Sequence, residues 1–338
     1  MRAVVYSETG GPEVLRLVER PVPEPGPGEV RVAVRVSGVN PTDWKARRGR
    51  GGGKLGFSEV VPNQDGAGTI DAVGSGVDPG RVGDRVWLWE AAWERPEGTA
   101  QEYVVVPERQ APPLPDGVSF DTGASLGIPA LTAHRCLTVS DLGPRRLRPA
   151  ALAAQTVLVA GGAGAVGHAA IQLARWTGAR VISTVSSDEK ARLAQAAGTD
   201  HVVNYRDGDA AAEIRNLAPE GVDIVVEVAP VANVRLDAAV LAPNGTVAAY
   251  ASEGSGLELS VRDLMPRNVR YHFVLVYTVP PAAKLAAVAD VGAAAADGAL
   301  AVGDAAGLPL HRFSLEQAAE AHAAVEAGAV GKVLIDVR

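Results

Sequence analysis

The rhythm of apolar and polar positions changes near residue 124. Before it, short β-branched runs alternate: "RAVVYSE", "EVRVAVRVSGV", "GAGTIDAVGSGV", "DRVWLW" and "EYVVVP". Period-two alternation predicts half-buried strands. Clusters such as "PVPEPGPGE" punctuate them as turns. The first third therefore reads as a small barrel-like β domain. After residue 124, near-continuous apolar runs alternate with helical stretches. "TVLVAG" precedes "AVGHAAIQLARWTG", and "RVISTV" precedes "DEKARLAQAAG". "DHVVNY", "VDIVVEV", "GTVAAYA" and "YHFVLVY" follow. That order predicts an α/β, doubly wound domain with a parallel sheet covered on both faces. Residues 140–155 read as an exposed loop ahead of the sheet. From 279 the chain predicts an Ala-rich helix, then a capping box from Ser314 to Gln317, and a closing strand.

Composition fits this picture. The chain has 338 residues, 47% hydrophobic and 21% charged, enough for two domains. Aromatics are sparse at 4%, so Ala, Val and Gly carry the packing. The net charge of −7 argues against a surface built for nucleic acid or anionic membrane. A single cysteine, Cys136, excludes an internal disulfide and predicts a reducing compartment. No apolar run reaches the roughly 18 residues of a membrane span. The expected location is the cytoplasm.

Gly162-Ala163-Gly164-Ala165-Val166-Gly167 fits G-x-G-x-x-G between a strand and a helix. Glycines there let backbone approach a pyrophosphate, and free N–H groups at the helix start favour its charge. The second strand ends in Ser186-Ser187-Asp188-Glu189-Lys190. Small hydroxyls followed by a lysine suit a 2′-phosphate, so NADPH is the expected cofactor. Asp188 facing inward would select NAD; as the N-cap of the next helix it would not, and the cap is the expectation taken here.

Seven stretches in order, "GGPEVLRL", "GVNPTDWK", "VGDRVW", "LGIPALTAHR", "VLVAGGAGAVGHAAIQLAR", "DHVVNYRD" and "GKVLIDV", span nearly the whole chain. Together they resemble the medium-chain dehydrogenase/reductase superfamily, in its zinc-free quinone oxidoreductase (ζ-crystallin-like) branch. The resemblance implies a GroES-like β-barrel substrate domain from residues 1–123 and 279–338. It implies a Rossmann NADPH-binding domain over 124–278, and a cleft between the two. The residues support the absence of zinc by themselves. One cysteine cannot supply a four-thiolate site. Where zinc ligands of the superfamily would stand, this chain has Asn40 and Gln64-Asp65, and Asn and Gln are poor zinc ligands. The metal expectation is none.

The resemblance also carries over positions one by one. Ala163, Gly164, Ala165, Val166 and Gly167 match the phosphate turn. Ser186 and Lys190 match the 2′-phosphate end, and Tyr205 a residue over the adenosine. Asn233 matches a position after the fourth strand. Tyr250, Ala251, Ser252, Glu253 and Val274, Leu275, Val276 match strand ends beside the nicotinamide; plain packing is an equal reading for Val274, Leu275 and Val276. Thr132 and Lys332 are further expected contacts.

Asn40, Asp43 and Lys45 are the expected catalytic residues. Asn40 would orient the carboxamide or the acceptor carbonyl, or is simply the turn partner of Pro41. Asp43 would orient Lys45 or a water, or caps a helix. Lys45 stands where similar quinone reductases often carry Tyr; it would stabilise charge on an acceptor oxygen, or is a solvated lysine. Trp44 would stack on a flat acceptor or belong to the core. The expected reaction is hydride transfer from NADPH to a quinone or related conjugated carbonyl.

Two alternatives stand beside it. The first is an enoyl or alkenal double-bond reductase with Lys45 or Tyr103 as proton donor. The second is a cofactor-binding redox sensor or RNA-associated protein. The latter would use the loop "KARRGRGGGK" (45–54), with five cations in ten residues, which also reads as a lid or a solvated loop; no aromatic platform accompanies it. The Trp-rich segment 87–103 reads as pocket wall, subunit contact or packing. The apolar edge "YHFVLVYTV" (271–279) predicts a homodimer.

Overall fold

The structure is a computed structural model that describes residues 1–49, 55–252 and 256–338. It divides into two units, Met1–Ile128 with Pro309–Arg338, and Pro129–Leu308. In chain order the first unit places strands at Arg2–Val5 (β1), Arg16–Glu19 (β2), Glu29–Val39 (β3), Asp65–Val73 (β4), Arg85–Leu88 (β5) and Tyr103–Pro107 (β6). Helix α1 covers Pro41–Arg47, and helix α2, Phe120–Thr138, begins there. The second unit holds strands Thr156–Ala160 (β7), Arg180–Val185 (β8), His201–Asn204 (β9), Val222–Glu227 (β10), Leu241–Ala249 (β11) and Arg270–Phe273 (β12). Its helices are Ala165–Trp176 (α3), Asp188–Ala196 (α4), Ala210–Leu217 (α5), Pro230–Val240 (α6), Val261–Leu264 (α7) and Pro281–Ala296 (α8). The chain closes in the first unit with Leu310–Ser314 (β13), Ala318–Glu326 (α9) and Lys332–Asp336 (β14).

In the first unit the ladder runs β13-β14-β3-β4-β5, with β6 also on β3. Strand β3 alternates buried and half-buried residues over its first half, then is buried on both faces from Val36 to Val39. Its register decides what meets at that end. Val39 faces Val333 of β14, and Gly38 faces both Leu334 of β14 and Asp65 of β4. Asn40, Lys332 and Asp65 are thereby brought to one edge of the sheet. Gly38 is glycine for a steric reason: a Cβ there would stand 2.2 Å from Ala124 O and 3.2 Å from Lys332 Nζ.

The second unit is a parallel sheet in the order β12-β11-β10-β7-β8-β9. The order reverses between β7 and β10, the topological switch point at whose carboxyl edge such sheets bind ligands. Leu158, Ile182, Val203, Val225 and Val247 lie in one buried cluster. Among the described residues no helix is long and apolar enough to cross a membrane.

Several details differ from the sequence reading. The units divide at 128/129 and 308/309, not at 123/124 and 278/279. Asp290 of α8 explains the later boundary: it accepts from His134 Nε2 at 2.8 Å and from Arg146 and Leu147 N, which ties α8 to the second unit. The same contacts show that 140–155 is not a plain exposed loop, since Leu147 and Leu152 are buried. The edge strand expected over 271–279 stops at Phe273. Its partner β11 ends at Ala249, so the ladder has nothing further to pair with, and Val276–Thr278 turn as a 3-10 helix. The capping box at Ser314 and Gln317 is present and opens the turn into α9.

Candidate functional site

In the second unit, the loop after β7 separates two jobs among its glycines. Gly161 has φ +70, which an L side chain rarely adopts. A Cβ on Gly162 would sit 2.1 Å from Ser183 Oγ, and one on Gly167 2.4 Å from Gly161 O. These two let strand and helix pack closely. Gly164 is different: it is exposed, and its Cβ would meet only Gly161 O at 3.5 Å. It is the N-cap of α3, with no side chain capping the N–H groups behind it. Ala165 and Val166 follow on this open face, both half-buried, while Ala163 is buried. An uncapped helix start behind a glycine leaves N–H groups that can donate to an anion.

At the end of β8, Lys190 Nζ donates to Ser186 Oγ at 3.1 Å, which brings a cation and a hydroxyl together. The N-cap of α4 is Ser187, whose Oγ accepts from Lys190 N. This corrects the assignment of Asp188 as the cap: Asp188 is the first helical residue and points to solvent. Its acid still favours the helix start through the dipole. Tyr205, just beyond β9, is 49% exposed.

The other half of the carboxyl edge is built on β10 to β12. Glu227, the last residue of β10, is fully buried and accepts from Ala229 N and from Asn233 Nδ2 at 3.0 Å. Asn233 is thus held through its amide at the start of α6. Tyr250 and Ala251 are half-buried after β11, and Ser252 is exposed. Burial raises the Tyr250 phenol. Val274 and Val276 are buried and Leu275 is 51% exposed, so packing accounts for the valines. Thr132, on α2, is buried. Glu253 lies outside the described residues.

Lys332 belongs to the first unit, where it is 1% exposed. Its Nζ donates to Asn40 Oδ1 at 2.8 Å and Val39 O at 3.3 Å, and stands 3.6 Å from Asp65 Oδ2. Asn40 Nδ2 donates to Asp65 Oδ2 at 2.7 Å, and Asp65 Oδ1 accepts from Ile128 N at 2.8 Å. Gly127 makes this last bond reachable, since a Cβ there would overlap Asp65 Oδ1. Asp43 Oδ2 accepts from Asn40 N at 2.7 Å in a capping box. Burial pushes the Asp43 carboxyl up to about 8. It also pushes Asp65 up and Lys332 down, and each of these two opposes the push on the other.

This geometry changes three expectations. Both polar ends of the Asn40 side chain are spent inside the protein. Asp43 caps α1 rather than orienting Lys45. Lys332 neutralises a buried carboxylate. Lys45 lies on α1 with its Nζ 5.7 Å from the Trp44 ring centroid. The donor set also fails for zinc. An ammonium already sits against the one carboxylate of the group nearest it, and a second cation there would be repelled. Among the described residues no group of three His, Cys, Asp or Glu is arranged to hold a metal.

The remaining sequence features also find places. Arg47 is fully buried, donating to Gly10 O and to Glu326 at 2.8 Å, and Arg48 shares Glu326. Two of the five loop cations are therefore already engaged; Arg50 and Lys54 lie outside the described residues. Trp87 and Trp89 are core. Tyr103 carries the Arg31 and Arg338 guanidinium groups within 5.5 and 3.9 Å of its ring, a stacking role.

Comparisons with known proteins agree with the two-unit reading. Residues 26–116 match the alcohol dehydrogenase GroES-like domain, and 165–295 match the zinc-binding dehydrogenase family. Human quinone oxidoreductase is 31% identical over 99% of this chain and 97% of its own. A structure described as an NAD-dependent alcohol dehydrogenase is 32% identical, with TM-score 0.85 over 100% of both chains. A mycobacterial structure complexed with NADPH is 31% identical, with TM-score 0.80 over 99% of both chains. The chain belongs to the medium-chain dehydrogenase/reductase superfamily, in its quinone oxidoreductase-type branch, with a GroES-like domain and a Rossmann-type domain. It is an oxidoreductase that works with a nicotinamide cofactor.

Proposed function

We propose that the protein is an NADPH-dependent, zinc-independent reductase that passes hydride to a quinone or related conjugated carbonyl. The observation that carries the cofactor choice is the Ser186–Lys190 contact at the end of β8. A hydroxyl and an ammonium there suit a phosphate better than a ribose hydroxyl. Gly164, Ala165 and Val166 would receive the pyrophosphate, with Ala163 and Gly167 shaping the turn. Tyr205 would cover the adenosine. Asn233, Tyr250, Ala251 and Ser252 would line the nicotinamide half, with Leu275 as the accessible member of its trio. Thr132 is a further contact on α2. When bound, the cofactor supplies the hydride; the protein orients it and keeps water away.

Of the three catalytic candidates, Asn40 and Asp43 act as positioning residues through the buried network. Lys45 is the candidate to stabilise charge growing on the acceptor oxygen. The protein is assigned to the cytoplasm, and to a homodimer formed through β12. That edge exposes Phe273 (67%), with Val261 and Met265 (68% each) nearby in sequence. Light scattering that finds a monomer at micromolar concentration would remove the dimer.

The test follows loss of nicotinamide absorbance with NADPH and NADH, in EDTA, against an ortho-quinone, a para-quinone, a 2-alkenal and a simple ketone. Quinone turnover with NADPH preferred is the expected result. Turnover of the alkenal alone would replace the quinone reading with double-bond reduction. Silence with all four would leave a cofactor-binding protein.

A further inference from the structure

The second unit buries two carboxyl groups against each other, and the reaction as described uses neither. Glu227 ends β10 and Asp237 lies two turns into α6; both are fully buried. Glu227 has its donors in Ala229 N and Asn233 Nδ2. Asp237 has none: neither of its oxygens accepts a hydrogen bond among the described residues. Its polar neighbour is Glu227. Two carboxylates cannot bond to one another, but a carboxylic acid and a carboxylate can, through the proton on one of them. Around them stand Tyr250 after β11 and Tyr271 on β12, both phenols pushed up. The buried Tyr271 hydroxyl is unpartnered among the described residues. The nearby Arg267 spends its guanidinium on Ala238 O and Leu241 O.

We propose that Glu227 and Asp237 share one proton and form a positioning pair that holds the turn from Ala229 to Asn233 in the shape that receives the nicotinamide half of the cofactor. The place supports the role. Glu227 stands at the switch point between β7 and β10, and with the adenosine end at β8 the other half of a dinucleotide lies on the β10 side. Glu227 fixes both the backbone N–H that opens α6 and the amide of Asn233. Asp237, by keeping its proton, removes the repulsion that would drive Glu227 out of the turn. The role toward the cofactor rests on the proposed function; the shared proton does not.

Burial and the neighbouring charge push Asp237 up to about 9. Above that pH the native pair carries two charges and the turn is released. The first experiment titrates NADPH into the wild-type protein by fluorescence between about pH 8 and about pH 9.8, below the ordinary pKa of a lysine side chain. Once pH exceeds about 9, the wild-type Kd rises toward roughly tenfold per pH unit, the slope for one proton. Asp237→Asn, whose amide donates to Glu227 without titrating, stays flat within about twofold. Glu227→Gln leaves only Asp237 to ionise, so the pair never carries two charges and the rise above about pH 9 is lost there as well. A flat wild-type curve, or an unchanged rise in Asp237→Asn, overturns the proposal.

If the wild type does not bind NADPH at neutral pH, the proposed cofactor falls and the pair is read in the free protein by urea unfolding. A native pKa above the unfolded value means the native state binds the extra proton, so the pair's own contribution to wild-type stability falls as pH rises from about 5 to about 8. Asp237→Asn lacks that loss, and its advantage over the wild type must widen across the window. A constant difference overturns the pair itself.

Discussion

Replacing Lys332 with methionine keeps the apolar stem but removes the ammonium from the end of β3. Asp65 then keeps Asn40 Nδ2 and Ile128 N as donors but loses its counter-charge. At 3.6 Å and an effective dielectric near 20, the lost attraction is about 4–5 kcal/mol. Removing one partner from a buried pair costs about 3–5 kcal/mol by the same reasoning. The two figures agree, and Asn40 loses its Oδ1 partner as well. Urea unfolding of Lys332→Met, Asp65→Asn and the double variant closes a thermodynamic cycle. The double variant should recover more than half of the Lys332→Met loss, because no charge remains stranded. Acidity supplies a second check. Without Lys332, burial holds the Asp65 carboxyl above its unfolded value, so the native state keeps a proton the unfolded state has shed. The deficit therefore grows as pH rises from about 4, and is smaller at about pH 5 than at about pH 8. A Lys332→Met cost under about 1 kcal/mol, or losses that simply add, would refute the buried pair.

The glycine loop gives a split outcome. Gly162→Ala forces a Cβ onto Ser183 Oγ and should cost about 1–3 kcal/mol in thermal or urea unfolding. Gly164→Ala has room and should unfold like the wild type while weakening NADPH in a binding titration. Lys190→Ala should raise the NADPH Kd about tenfold, the loss of roughly one charge-assisted hydrogen bond, and leave NADH within about twofold. Burial holds His168 down at about 4 and His322 at about 3, so both are neutral in the native state. The unfolded state binds those protons first, so their contribution to stability falls on acidification below about pH 6.5, by up to about 1.4 kcal/mol per pH unit per histidine; chemical denaturation of the wild type against His168→Gln and His322→Gln from about pH 7 to about pH 5 measures it. Zinc added to the protein in a calorimeter should give no stoichiometric heat, because Lys332 already neutralises Asp65.

The parts of this protein legible in the sequence are those fixed by local rules. Alternation gave β3 and β4, the strand-glycine-helix pattern gave the turn at Gly162 to Gly167, and spacing placed Ser186 beside Lys190. What stayed hidden was decided by register. Lys332 lies in the apolar run "GKVLIDV", far in sequence from Asn40 and Asp65. A lysine inside such a run signals a buried partner without naming it; pairing of β14 with β3 supplies the name. Glu227 carries the same signal, an acid closing the apolar run "IVVE". Asp237 sits on a helix whose pattern does not mark it as buried. The end of β12 was missed because a strand lasts only as long as its neighbour, and the end of β11 is set by tertiary packing.

The first unit is written in two pieces, with Lys332 in the second. During synthesis, residues up to Ile128 emerge with Asp65 facing no cation, while the contiguous stretch Pro129–Leu308 has every strand of its sheet in hand. Domains generally fold as units in the order they leave the ribosome. By that rule Pro129–Leu308 is complete before the first unit is, and the earlier-made segment waits for residues 309–338 to bring its missing charge.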